Sequence, residues 1–413
     1  MRPDPMAALV GTVREAWDEL RIHRTRVLLS LIGVTVAIAA LTSVVAFGQI
    51  LRQATTQSME ASSGRPASLS ITVSSDSGAP VDGDEAYESF RQAMERYDIS
   101  YGSRRVDTTL ITQFADGTTS VRATAVDAPY GVMHRIAPAQ GRWFTDADEL
   151  ALAPRIIINE NYWKRLGSPP LTGNPVTTVI GDSTVTVVII GVSANAQWET
   201  DSGDLSAFVL ASSLGRLLPL AAQSQLNPQL ELWVPPENSD ELQARLQRDI
   251  ASGLGGGTRV DIFRNDYAAY QDVDPFLLFQ VVFGAVAMLV LLLGALGLLT
   301  ISMVTVQQRV REIGIRRSFG ATAGRIFFAV MMESVVGTLL AGLLGVVIAA
   351  ILVRGPWMAG WLMAMTGMPL EQPAFPVEAA LWGLGSAVVV GALAGLMPAL
   401  VAIRIRVIDA IRF

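Results

Sequence analysis

Residues 307–322 read QQRVREIGIRRSFGAT, and the architecture of the whole chain follows from how this stretch is read. Long apolar runs flank it, and Arg309, Arg311, Arg316 and Arg317 make it the most heavily basic short piece of the sequence. Glu312 and Arg316 are spaced i, i+4 with the acid nearer the N-terminus, the favourable orientation for a helical pair. Val306, Val310 and Ile313 fall on one helical face. Gly320 is a natural helix stop, and Thr322 is placed to cap the helix that follows. Together these features predict a short amphipathic helix held at a membrane surface. The charge pattern by itself predicts only a positive loop that fixes topology.

Working outward, hydrophobic residues make up 51% of the 413-residue chain and charged residues only 16%, a balance that points to membrane spans beside a polar domain. Four runs are long enough to cross a bilayer: residues 27–51, 275–308, 326–353 and 379–403. The first has no cleavage site for a signal peptide. Arginines cluster in the arm at residues 1–26, in the segment at residues 309–325 and in the tail at residues 404–413, and they are sparse in the loop at residues 354–378. The positive-inside rule then puts arm, segment and tail in the cytosol, and places residues 52–274 outside, in a large net-acidic domain. Trp357 and Trp361 in the outer loop suit an interfacial belt. Gly391 and Gly395 form a small-xxx-small pair for close helix packing in the fourth span.

The arm reads as an amphipathic helix with Leu9, Val13, Trp17 and Leu20 along one side. The outer domain interleaves strands and helices, so its expected class is α+β, with room for one large or two small cores. Asp116-Gly117 and Gly181-Asp182 are expected hairpin turns. Asn159 is the expected cap of a helix ending near Gly167, and helices are expected over residues 84–97 and 240–250.

The catalytic inventory is thin. There is no cysteine, and Lys164, the one lysine, belongs to no phosphate-binding GxxxxGK[ST] loop. HExxH and GxSxG are absent. His23 and His134 fall on opposite sides of the membrane, so a histidine-based site within one chain is not expected. Asp146, Asp148 and Glu149 form an acidic cluster, read as the first turn of a helix, with a cation site as the other reading. Glu333 is the one acid inside a span; near its inner edge, pairing with an arginine or a backbone group is the expected role. No catalytic residue, metal, cofactor or nucleic-acid contact is expected of this chain.

The segment Arg311-Glu312-Ile313-Gly314-Ile315-Arg316-Arg317, with Phe319-Gly320-Ala321-Thr322, resembles the REIGIRKALGAT signature of FtsX-like permeases. Gly395, Pro398, Ala399, Arg404 and Asp409-Ala410-Ile411-Arg412 are similar to that family's closing pattern, with Val407 where proline is usual. Arg26, Leu31, Gly33, Val34 and Gly48 resemble a MacB-type start. Gly141-Arg142-Trp143-Phe144-Thr145 and residues 187–192 resemble the MacB-like extracytoplasmic core, whereas residues 201–257 carry no resemblance. The family likeness implies a permease subunit of a MacB-type ABC transporter in the cell membrane, with four spans, cytosolic termini and the large α+β domain extracytoplasmic. It implies a second permease copy, as a homodimer, and a cytosolic ABC ATPase on a separate chain that binds the ATP and magnesium; an extracytoplasmic adaptor protein is a further partner it permits. Arg311, Glu312, Ile315, Arg316, Phe319 and Gly320 would then grip the ATPase, and stiff helices would carry its motion outward. The same likeness extends to two alternatives: a regulator that relays ATPase motion to cell-wall hydrolases, and a lipoprotein-releasing permease.

Overall fold

From Arg24 the sequence runs without proline as far as Pro66, so helix continues well past the apolar stretch. In the computed structural model this is one 40-residue helix, α1 (Arg24–Ser63). At 1.5 Å per residue it is about 60 Å long, roughly twice the thickness of a bilayer's hydrocarbon. Gly64 ends it: its φ of +84° is a left-handed value, and its N–H bonds back to the Glu60 carbonyl at 2.9 Å. The structure describes residues 24–75, 82–223, 226, 228–254, 257–266, 277–366 and 374–404. The amphipathic helix expected in the arm, and the tail beyond Arg404, lie outside these.

The chain divides into two units: residues 54–273 with 360–371, and residues 1–53 with 274–359 and 372–413. The first is built on a ten-stranded sheet. Its strands are β1 (Ser68–Ser75), β2 (Gly102–Phe114), β3 (Gly117–Val126), β4 (Gln140–Gly141), β5 (Arg155–Asn159), β6 (Val176–Ile180), β7 (Thr184–Ser193), β8 (Ser206–Leu210), β9 (Gln229–Trp233) and β10 (Thr258–Arg264). They run in the order β10-β1-β9-β2-β3-β8-β5-β7-β4, with β6 pairing both β2 and β7. Pairing is antiparallel except for β3–β8 and β5–β7. Two cores result. Helices α2 (Gly83–Arg96) and α3 (Ser239–Gly253) contribute Phe90, Leu246 and Ile250 to a core with Leu69, Ile71 and Leu232. The other core gathers Leu110, Val121, Ile156, Tyr162, Val187 and Val209. Residues 201–257, expected to carry no family likeness, supply β8, β9 and α3 to this scaffold.

Both hairpins form, the first with its turn shifted by one residue and the second with the expected turn lengthened by one. Phe114 pairs with Gly117, so the first turn is Ala115-Asp116 and Gly117 belongs to the strand with φ +132°. Burial sets this register: a slip of one residue would turn Phe114 and Leu110 away from the core. In the second hairpin Ile180 faces Thr184, and the turn takes in Gly181, Asp182 and Ser183.

In the other unit α4 (Leu277–Gln308), α5 (Val310–Ser318), α6 (Ala323–Val353) and α7 (Val377–Arg404) follow in order. Together with α1, helices α4, α6 and α7 are long and apolar enough to cross a membrane. Small residues let them approach. A Cβ on Gly345 would stand 3.0 Å from the Thr35 carbonyl and the Ala39 nitrogen of α1. On α7, a Cβ at Gly391 would lie 2.9 Å from Val335 Cα, and one at Gly395 2.9 Å from Ser334 Cβ, both on α6. Such contacts bring backbones together where the lipid itself offers no hydrophobic drive. The loop expected after α6 contains a further helix, Pro356–Thr366. Pro356 suits its first position. Met358 and Leu362 are buried one turn apart, while Trp357 and Trp361 are exposed.

Candidate functional site

Within the basic stretch of residues 307–322, Val310–Ser318 folds as the short helix expected there. Arg309 sits at the bend between α4 and α5, its N–H shared by the Thr305 and Val306 carbonyls. Beyond it α5 has two different sides. Ile313 and Gly314 are buried, and Ile313 packs in a small apolar cluster with Val306, Ile326 and Ala402, which joins the C-terminal ends of α4 and α7 to the N-terminal end of α6. Two arginines reinforce the seat. Arg309 pairs with Glu333 of α6 at 3.3 Å, and the Arg317 guanidinium donates to the Ile403 carbonyl at 3.1 Å, in the last turn of α7. A cation there also suits the negative end of the α7 dipole. Glu333 of α6 thus meets Arg309, as the pairing expected from the sequence requires.

The other side is open. Arg311, Glu312, Ile315, Arg316, Phe319 and Gly320 are all exposed. Glu312 and Arg316 pair at 2.8 Å across one turn. Ile315 and Phe319, four residues apart, are 50% and 88% exposed, so an isoleucine and a phenylalanine project from a charged helix. Gly320 ends the helix with φ +91°, and the Thr322 hydroxyl accepts the Arg325 N–H to start α6. The helix therefore has a fixed back and an exposed apolar tip framed by charge.

In the α/β unit the acidic cluster resolves as a cap. Asp148 accepts two hydrogen bonds from Arg142, at 2.6 and 2.7 Å, and further ones from the Thr145 backbone and hydroxyl at 2.9 Å. The Arg142 guanidinium, with the Thr145 donors, holds the Asp148 carboxyl down at about 2. Trp143 of the same motif donates its indole N–H to the Ala128 carbonyl at 3.0 Å. Among the described residues no group of three His, Asp or Glu side chains is arranged to hold a metal ion. Sequence reasoning missed a buried hydrogen bond between His134 and Glu231, at 2.7 Å; the two lie 97 positions apart with no motif to join them.

Four membrane-length helices, a sheet unit and an exposed basic helix have the length and composition of a membrane-embedded protein. Residues 27–249 match the family described as MacB-like periplasmic core domain, and residues 284–407 the one described as FtsX-like permease C-terminal. The first match runs on through residue 249, into the stretch at residues 201–257 where no likeness was expected. The chain belongs to this family of ABC transporter permeases. It is 26% identical over 410 residues to the macrolide export ATP-binding/permease protein MacB of Nitrosomonas europaea, covering 95% of this chain and 58% of that protein. It is also 26% identical over 428 residues to the uncharacterized ABC transporter permease YknZ of Bacillus subtilis, covering 98% of this chain and all of that one (100%). Among solved structures, the periplasmic region of MacB from Actinobacillus actinomycetemcomitans aligns at 14% identity with a TM-score of 0.38, over 52% of this chain and 96% of that one. The chain thus spans little more than half the length of the Nitrosomonas protein it matches.

Proposed function

We propose that this chain is the force-transmitting permease of a MacB-type ABC transporter. An ATPase grips α5 from the cytosol and moves it as nucleotide binds. Stiff helices carry the displacement across the bilayer to the α/β unit, which works on a substrate or adaptor outside. These 413 residues hold no phosphate-binding loop, so the nucleotide chemistry belongs to an ATPase domain outside them. Arginine placement supports a cytosolic α5 and an extracytoplasmic sheet unit. The exposed apolar residues of α4, Leu289 and Leu293 among them, suit contact with lipid and with a second copy. Peptides, antibiotics and lipid-like molecules are the substrate classes that this reading favours.

The observation that carries the proposal is the two-sidedness of α5: Ile313, Arg309 and Arg317 tie its back to the bundle, while Ile315 and Phe319 face outward. A helix serving only to fix topology has no need to expose a phenylalanine. The test is the double variant I315A/F319A in the full chain, produced in its native host and compared with the unmodified chain for recovery of a co-purifying ABC ATPase. Loss of ATPase recovery, with the purified chain still monodisperse, is the expected result; full recovery and unchanged ATPase stimulation would remove α5 from the mechanism.

A further inference from the structure

Where α1 ends, the α/β unit holds a buried polar cluster. His134 is fully buried, and Glu231 and Glu60 nearly so. His134 stacks on Tyr130, one turn earlier, with ring centroids 4.0 Å apart. Its Nε2 lies 2.7 Å from Glu231 Oε2 on β9. Its Nδ1 lies 3.1 Å from the carbonyl of Ala61, in the last turn of α1. A carbonyl can only accept, so Nδ1 carries a hydrogen and donates it. One residue on, Arg135 Nε stands 2.7 Å from Glu60 Oε2, also in the last turn. The Arg65 N–H donates to the Met133 carbonyl at 3.0 Å, and the Arg65 guanidinium lies over the Trp233 ring at 4.8 Å.

The outgoing chain is tied to the same corner. Fully buried Asp266 accepts from Arg264 at 2.8 Å and takes the backbone N–H of Ala67. The Asn265 N–H donates to the Ser68 carbonyl at 2.9 Å. The backbone here is held in left-handed conformations, with φ of +84° at Gly64, +69° at Ala67 and +48° at Arg135. Non-glycine residues keep such values only where their surroundings fix them. The last carbonyls of a helix lack partners within it, and water would satisfy them while leaving the end free to swivel. Here a buried imidazole, itself backed by a carboxyl on the sheet, takes one of them.

We infer that His134, held by Glu231, is a positioning residue that fixes the last turn of α1 to the sheet, so that movement of the helix reaches β1 and β9 undiminished. The use of that movement rests on the proposed function; the attachment does not.

The experiment uses the full chain in lipid nanodiscs without nucleotide or ATPase. The sequence has no cysteine, so Thr56→Cys and Ser183→Cys place a spin-label pair on α1 and on the far loop of the sheet unit without background. In H134F/E231L both buried polar partners go together, which spares the core an unpaired charge. The distance distribution is expected to broaden about twofold, and amide exchange over residues 59–66 to rise about tenfold, while β5 and β7 keep their protection. The variant H134N keeps a donor where Nδ1 stands and is expected to retain the narrow distribution. Unchanged width in H134F/E231L, loss of protection in β5 and β7 as well, or broadening in H134N as great as in H134F/E231L would each overturn the proposal. Because no ATPase is present, failure here leaves the α5 contact untouched, and failure of that contact leaves this result standing.

Discussion

The two ends of the proposed lever are built in opposite ways. At α5 the charges of Glu312 and Arg316 are in water and an isoleucine and a phenylalanine are exposed. At the far end of α1 the polar side chains of His134, Glu231 and Glu60 are buried, each 2.7 Å from a partner, and only Arg135 is half-exposed. The first arrangement suits a partner that binds and is then released, since nothing is left unsatisfied when it leaves. The second suits a permanent joint, since opening it would strand a buried carboxylate or imidazole. A chain that must be pushed at one end and must not slip at the other needs both.

Substitutions should separate the two regions sharply. The largest effect is expected at the joint. E231A leaves His134 buried without its partner and is expected to destabilise the α/β unit by about 3 kcal/mol, read as a large fall in its melting temperature. Next comes the bundle: G391L drives a side chain into Val335 and Thr338 and is expected to cost about 1–3 kcal/mol or more, seen as lost monodisperse protein on size exclusion. At α5 the pattern reverses. F319A is expected to leave thermal stability within about 0.5 kcal/mol. It should nonetheless weaken ATPase binding by about 2 kcal/mol or more, measurable by titration.

A smaller effect separates Asp148 from both regions. Its folded pKa of about 2 lies below its ordinary 3.8. Its contribution is therefore complete above 3.8 and disappears as pH falls towards 2. In D148N the stability of the α/β unit is expected to fall less over that interval, by acid-titrated circular dichroism. The smallest effect is expected for the charge swap E312R/R316E, about 0.5 kcal/mol or less in stability, because exposed i, i+4 pairs are worth little.

The parts legible in the sequence are those governed by local chemistry. Asn159 accepts the Tyr162 N–H at 3.0 Å and Thr322 caps α6, both as their residue types suggest. The apolar face of Val306, Val310 and Ile313 is readable from its spacing, and Val306 and Ile313 are buried as that predicts, whereas the outward Ile315 and Phe319 are picked out only by the family resemblance. What escaped depends on distant partners. Hairpin register at Gly117 was set by the burial of Phe114, not by the Asp-Gly pair. The helix Pro356–Thr366 read as loop because its tryptophans suggested an interface before they suggested a period. The His134–Glu231 pair joins a short helix to a strand far along the chain, and a lone histidine carries no sign of its partner.

The most direct measurement is a photo-crosslink from the Phe319 position, with p-benzoylphenylalanine in place of phenylalanine in the full chain in native membranes. The account predicts an adduct with a protein carrying a GxxxxGK[ST] loop, its yield changing when nucleotide is added. An adduct with no such protein at any nucleotide state, or labelling of that position by a membrane-impermeant reagent from outside, would contradict it.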